Sequence, residues 1–216
     1  MNYYFPVMAG TRDRRSISYF VSSRNGESYP WPEGSWIPSK ELIYMAYQDV
    51  PTFSNDVRKE LPKVILVVRP KVEELPDVIG QFSFNPAASP PLLRRPLVEL
   101  IQRDYPGCCE FIQAGKIWDD VFKRELDGSQ YFFSNVVKTI DSWDPDLSDV
   151  RQLSRKDGSV YFALAGSGVL NAEAVNGAHI WRDAKTMHVL CSEEFREKAE
   201  AVGASNMHFY RVDVSA

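Results

Sequence analysis

Short runs of β-type residues dominate this chain, and only a few stretches have helical spacing. "NYYFPVMA" and "SISYFVSS", joined by the charged turn "GTRDRR", read as two strands. The Pro-, Trp- and Gly-rich "GESYPWPEGSWIPS" reads as a surface loop. Ser39 is then placed to cap a helix through "KELIYMAYQ", its hydroxyl accepting a hydrogen bond from a free N–H of the first turn. "KVILVVRPK" has the β-branched density of a buried strand. Residues 84–96, "FNPAASPPLLRRP", are proline-rich and without periodicity. They mark the expected junction between an N-terminal α+β portion (1–83) and a C-terminal α+β portion (84–216), unless the two form one compact domain.

From Pro96 the spacing becomes helical, with proline acceptable at a first helical position and Leu97, Leu100 and Ile101 on one face. "CCEFIQA" reads as a strand, and "IWDDVFKREL" fits either a helix face or a strand and turn. The Asp127-Gly128 turn precedes a long strand, "QYFFSNVVKTI", and "RKDGSVYFALAG" repeats that arrangement. "AHIWR" and "MHVLC" read as strands joined by "DAKT". Ser192 then caps a helix whose first turn carries Glu193 and Glu194, beside the positive helix end. Phe195, Ala199 and Val202 form its expected buried stripe, Gly203 its C-terminal stop, and "MHFYRVDV" a last alternating strand. The expected class is α+β, mainly antiparallel sheet with short packed helices. Residues 92–111 and 190–209 share a strand–helix–turn–strand plan at an offset of 98, which suggests an internal duplication.

Composition narrows the function classes. A chain of 216 residues with 44% hydrophobic and 12% aromatic residues is long and apolar enough for a real core. A net charge of −4 argues against a nucleic-acid binder, which needs a basic face, and fits a basic partner. The apolar run Val64–Val68 is far short of the roughly 20 residues of a membrane span. The opening "MNYYFPVMAGTRDRR" does not read as a signal peptide. Three cysteines, Cys108, Cys109 and Cys191, do not make a disulfide set and suit a reducing compartment, with the cytoplasm as default.

Candidate chemistry concentrates in two segments. "GAHIWRDAKTMHVLCSEEF" (177–195) holds His179, His188 and Cys191, but strand alternation sends residues three apart to opposite faces, against a metal site. Cys191 precedes a helix N-terminus, which would lower its thiol pKa. That supports an alternative reading as a small cytoplasmic cysteine–histidine enzyme. In "DSWDPDLSD", Asp141, Asp144, Asp146 and Asp149 do not fit a calcium loop, because the sixth and twelfth positions from Asp144 are Asp149 and Arg155. They read as an acidic patch for a basic partner, with Trp143, like Trp31 and Trp36, as an exposed aromatic anchor. "AGSGVLN" matches neither a nucleophile elbow nor a phosphate loop and reads as a flexible turn. No metal, cofactor or complete catalytic set emerges.

The order of segments from about 76 to 214 resembles the immunity proteins of bacterial polymorphic toxin systems, closest to the immunity protein 11 and immunity protein 43 families. The resemblance rests on "QYFFSNVVKTIDSWD", the "HIWRD" strand, and "SEE" opening a helix before a Phe-bearing last strand. It implies a cytoplasmic, non-enzymatic inhibitor that binds a cognate toxin domain, exported in bacterial competition by a route such as type VI secretion. It implies neither cofactor nor nucleic-acid nor membrane partner. Asp141, Trp143, Asp144, Asp146 and Asp149 are the expected toxin contacts. His179, Trp181, Arg182 and Asp183 are expected to be framework.

Overall fold

The computed structural model describes residues 1–8, 19–21, 52–53, 55–63, 65–68, 75–80, 90–119, 121–154, 158–204 and 207–215. The expected Ser39-capped helix, the loop at 26–39, Trp31 and Trp36 lie outside the described residues. In chain order the elements are β1 (Tyr3–Met8), β2 (Tyr19–Val21), helix α1 (Asn55–Glu60), β3 (Ile65–Val68), β4 (Val78–Ile79), β5 (Leu92–Arg94) and helix α2 (Arg95–Asp104). There follow β6 (Cys109–Gln113), β7 (Lys116–Asp119), β8 (Arg124–Leu126), β9 (Tyr131–Val136), β10 (Thr139–Ile140), β11 (Val150–Ser154) and β12 (Val160–Leu164). The chain closes with β13 (Val169–Leu170), β14 (Ile180–Asp183), β15 (Val189–Ser192), helix α3 (Glu193–Ala201) and β16 (Met207–Val214). The class is α+β, with most strand pairs antiparallel.

The strands form a six-stranded sheet, β10-β14-β15-β1-β16-β13, two four-stranded sheets, β4-β5-β9-β6 and β2-β3-β7-β8, and a separate β11–β12 hairpin. Period-two alternation explains how one strand serves two cores. In the β4-β5-β9-β6 sheet, Ile79, Leu92, Ile112 and Phe133 face one cluster with Leu66, Val68 and Ile117 of the other four-stranded sheet. Val78, Leu93 and Val136 face a second cluster, with Leu97 and Ile101 of α2, Phe195 and Ala199 of α3, and Ile180 and Cys191 of the six-stranded sheet. Trp181, Leu190, Tyr3 and Val212 turn to that sheet's far face and pack with Trp143, Leu170 and Val175. Burying each such large side chain stabilises the fold by about 1.5–3 kcal/mol relative to exposure. A strand in the middle of this stack must therefore be apolar on both faces.

The offset of 98 is visible in three dimensions. β5–α2–β6 and β15–α3–β16 are both strand–helix–strand units, and Arg94 and Ser192, the two N-caps, stand 98 residues apart. Leu97 matches Phe195 and Ile101 matches Ala199, all four buried. In each unit the two strands flank one antiparallel strand from elsewhere, β9 in the first and β1 in the second. Strand pairing crosses the boundary expected at 83/84. β1 lies between β15 and β16, β3 runs parallel to β7, and β4 pairs with β5.

Several expectations are resolved or corrected. "IWDDVFKREL" forms strand, turn and strand (β7, β8), because the buried Asp119 accepts from the N–H groups of Val121 and Phe122 and closes a turn. "QYFFSNVVKTI" is not one strand. It breaks at Val137 and Lys138, whose N–H groups both turn to the Cys108 carbonyl, so β9 and β10 enter different sheets. Val202 is exposed rather than part of the α3 stripe, since the helix ends at Ala201 and Gly203 turns the chain with φ of 85°. "AGSGVLN" includes the edge strand β13, which runs parallel to the end of β16.

Candidate functional site

The acidic segment leaves the six-stranded sheet at its edge strand β10, and a buried carboxylate fixes the exit. Asp183, fully buried at the end of β14, accepts through Oδ2 from the Ser142 N–H (3.0 Å) and hydroxyl (2.9 Å). Its Oδ1 accepts from the N–H groups of Lys185 (3.1 Å) and Thr186 (2.7 Å) and from the Thr186 hydroxyl (2.8 Å). The Thr186 Oγ1 accepts in turn from the Trp143 indole N–H at 2.9 Å. Trp143 is 4% exposed and packs in the third apolar cluster, so its reading as an exposed anchor is corrected. Its large ring is worth more in the core, where its one donor is satisfied, than on a surface.

Beyond Trp143 the loop is laced to β13. The Asp144 N–H donates to the Val169 carbonyl (2.8 Å), the Ser148 hydroxyl donates to the same carbonyl (2.8 Å), and the Val169 N–H donates back to Ser148 Oγ (2.9 Å). Asp144 Oδ1 accepts from the N–H groups of Asp146 (3.0 Å) and Leu147 (3.1 Å), a side-chain-capped turn that uses part of its hydrogen-bonding capacity. Asp141 pairs with Lys185 at 2.8 Å, and Asp149 holds Arg151 through two bonds of 2.7 and 2.8 Å. Asp146 is exposed and has no cationic partner among the described residues. The four carboxylates are therefore not equivalent: two are already matched by cations, one shapes the loop, and one projects.

Immediately after Asp149 the chain rises into the β11–β12 hairpin, which sequence reading recognised only in part. The Lys-Asp-Gly turn between two β-prone runs was the available signal, although 155–157 lie outside the described residues. The strand expected after that turn is β12, and its apolar run is half covered. Val150 and Leu164 pack on the third cluster, whereas Leu153 (40% exposed), Val160 (49%), Tyr161 (37%) and Phe162 (37%) meet water.

The histidine–cysteine segment is organised by packing. Cys191 points into the second cluster and His188 packs against the rings of Phe5 and Trp143 on the third, so the two lie on opposite sides of the sheet. The expected lowering of the Cys191 thiol is corrected: complete burial pushes its pKa well above the ordinary thiol value and outweighs the helix end. Burial likewise raises Cys108 and Cys109 and lowers His188. The Ser192 hydroxyl accepts from the Phe195 N–H at 3.2 Å and caps α3, with His179 Nδ1 at 3.3 Å from it. Arg182 donates to Asn135 (2.9 Å), which donates to Glu110 (2.9 Å), and Glu110 in turn pairs with Arg58. That polar chain ties the six-stranded sheet to β9, β6 and α1. Among the described residues no helix is long and apolar enough to cross a membrane.

A search among curated proteins finds no match to the chain. A family model, described as the immunity protein family Imm11, matches residues 29–214, which is most of the chain. On that match, the chain belongs to the Imm11 immunity protein family.

Proposed function

We propose that this protein neutralises a cognate bacterial toxin domain by binding it and covering its working surface, with the loop at 141–149 facing a basic region of the toxin. The supporting observation is the arrangement of that loop. It carries Asp141, Asp144, Asp146 and Asp149 on a backbone bonded to β13 and to the buried Asp183. A charged surface held in place loses little conformational freedom on binding and steers an oppositely charged partner. The reading places the protein in the reducing cytoplasm of the cell it protects, acting without cofactor, nucleic acid or membrane.

The test has two stages. The tagged full chain is used to capture its partner from its native host, and the captured protein's toxic domain is expressed in a sensitive cell with and without this chain. Relief of growth arrest supports the reading, and arrest unrelieved by the well-expressed chain refutes it. The loop is then tested with D144N/D146N/D149N, which removes charge while leaving an oxygen at 144 to close the turn. Association with the purified toxin domain should slow about tenfold at low salt, and the difference should shrink as salt is raised. Equal rates at low salt would remove the loop from the interface.

A further inference from the structure

The duplication reaches beyond the strand–helix–strand units. In register, the sheet β4-β5-β9-β6 recurs as β14-β15-β1-β16. Leu93 stands opposite Phe132 as Cys191 stands opposite Tyr4, and Ile112 opposite Phe133 as Tyr210 opposite Phe5. Side-chain details recur with it. Arg95 lies over the Phe132 ring as Arg196 lies over Tyr4, and the Tyr131 hydroxyl donates to the Leu75 carbonyl as the Tyr3 hydroxyl donates to that of Val175.

Equivalent positions nevertheless differ in cover. On the first sheet, Ile112 and Phe133 are buried in one cluster with Phe53, Val57 and Leu61. Glu110, on the same face as Ile112, accepts from the Phe53 N–H and pairs with Arg58 of α1. A short apolar helix thus caps that corner. On the second sheet the third cluster takes in Val212 but stops there. Tyr210, the counterpart of Ile112, is 62% exposed and belongs to none of the apolar clusters. His208, the counterpart of Glu110, is exposed, and Phe5, the counterpart of Phe133, is only half-buried.

Resting on the toxin-binding reading, we propose that this uncapped corner is a docking face, on which an apolar segment of the toxin packs against Tyr210 and Phe5 as α1 packs at the corner of Ile112 and Phe133. A large, rigid tyrosine ring at the surface is the kind of side chain that anchors interfaces. Position and charge select the toxin. The Phe5 ring meets that of Trp143 at 5.7 Å, so the corner is continuous with the root of the acidic loop. A partner whose cations face Asp144 and Asp146 can therefore cover Tyr210 with the same surface. A second copy brings the same net charge of −4 rather than the opposite one. The first sheet shows, moreover, that a different element fills this corner, not a like one.

The full chain and its variants Y210D and F122D are titrated calorimetrically against the purified toxin domain identified by capture. Phe122, exposed on the β7–β8 turn, is the control. Y210D should weaken binding by roughly thirtyfold or more, with F122D within about threefold of wild type. Oxidation of the wild-type chain by hydroxyl radicals reads the same face without a substitution. Oxidation of Tyr210 should fall by about fivefold or more in the complex, as its ring leaves water, while that of Phe122 stays unchanged. Y210D binding within about threefold of wild type, or Tyr210 oxidised equally in the free and bound chain, overturns the docking face while leaving toxin neutralisation intact. A wild-type chain that does not bind the domain overturns both. A dimer in sedimentation that Y210D dissolves, without loss of toxin affinity, assigns the corner to a second copy and also overturns the proposal.

Discussion

Replacing Asp183 by alanine removes the single side chain on which the root of the acidic loop hangs. Five donors lose their acceptor: the N–H groups of Ser142, Lys185 and Thr186 and the hydroxyls of Ser142 and Thr186. The hydroxyls can rotate toward other acceptors, and the part-buried Lys185 N–H can reach water. The N–H groups of Ser142 and Thr186 are in buried bonds and cannot, at about 1–3 kcal/mol each. Relief of the buried carboxylate's desolvation acts in the opposite direction, but five hydrogen bonds already compensate that charge, so the loss dominates. A destabilisation of about 3–5 kcal/mol is expected, a large part of the roughly 5–15 kcal/mol that holds a typical domain. Asp183→Asn keeps the shape and one acceptor oxygen but aims an N–H₂ at donors, and should cost about 2–3 kcal/mol. Urea unfolding followed by tryptophan fluorescence measures both, since Trp143 sits at the network's end. An alanine variant within about 1 kcal/mol of wild type, at the same urea dependence, would show that the network does not hold the loop.

Two further outcomes follow from ionisation. Asp104, at the end of α2, is held down to about 2 by the Arg103 side chain first and by Lys198 of α3 second. A carboxylate lower in the folded than in the unfolded state stabilises above its unfolded pKa, and that stabilisation is lost as pH falls from about 4 toward 2. Melting temperature should therefore drop across that window by less in Asp104→Asn than in wild type, and equal drops would exclude the latch between the helices. Cys191 should remain unlabelled by a thiol reagent in the native protein and react only on unfolding, with the less buried Cys108 reacting sooner. Rapid native labelling of Cys191 would restore the cysteine–histidine alternative.

Local chemistry was legible where a residue acts on its own neighbours in sequence. The Ser192 cap, proline in the first turn of α2 and the Gly203 stop all express interactions within a few positions, so the sequence determines them by itself, and the 98-residue repeat is legible because a similar local plan recurs. The acidic cluster and the absence of a long apolar run belong to the same level. Which strands pair, and what each face meets, depends on partners far away. β1 inserts between β15 and β16 although nearly 200 residues separate their ends, and no local pattern encodes that choice. Burial of Trp143 and exposure of Phe162 were decided the same way. Trp143 finds Thr186 and the far face of a sheet, whereas among the described strands β12 pairs with β11 alone and its Val160 and Phe162 stay exposed. A hydrophobic residue specifies that it gains by being covered, but only the tertiary structure decides whether the cover comes from its own chain.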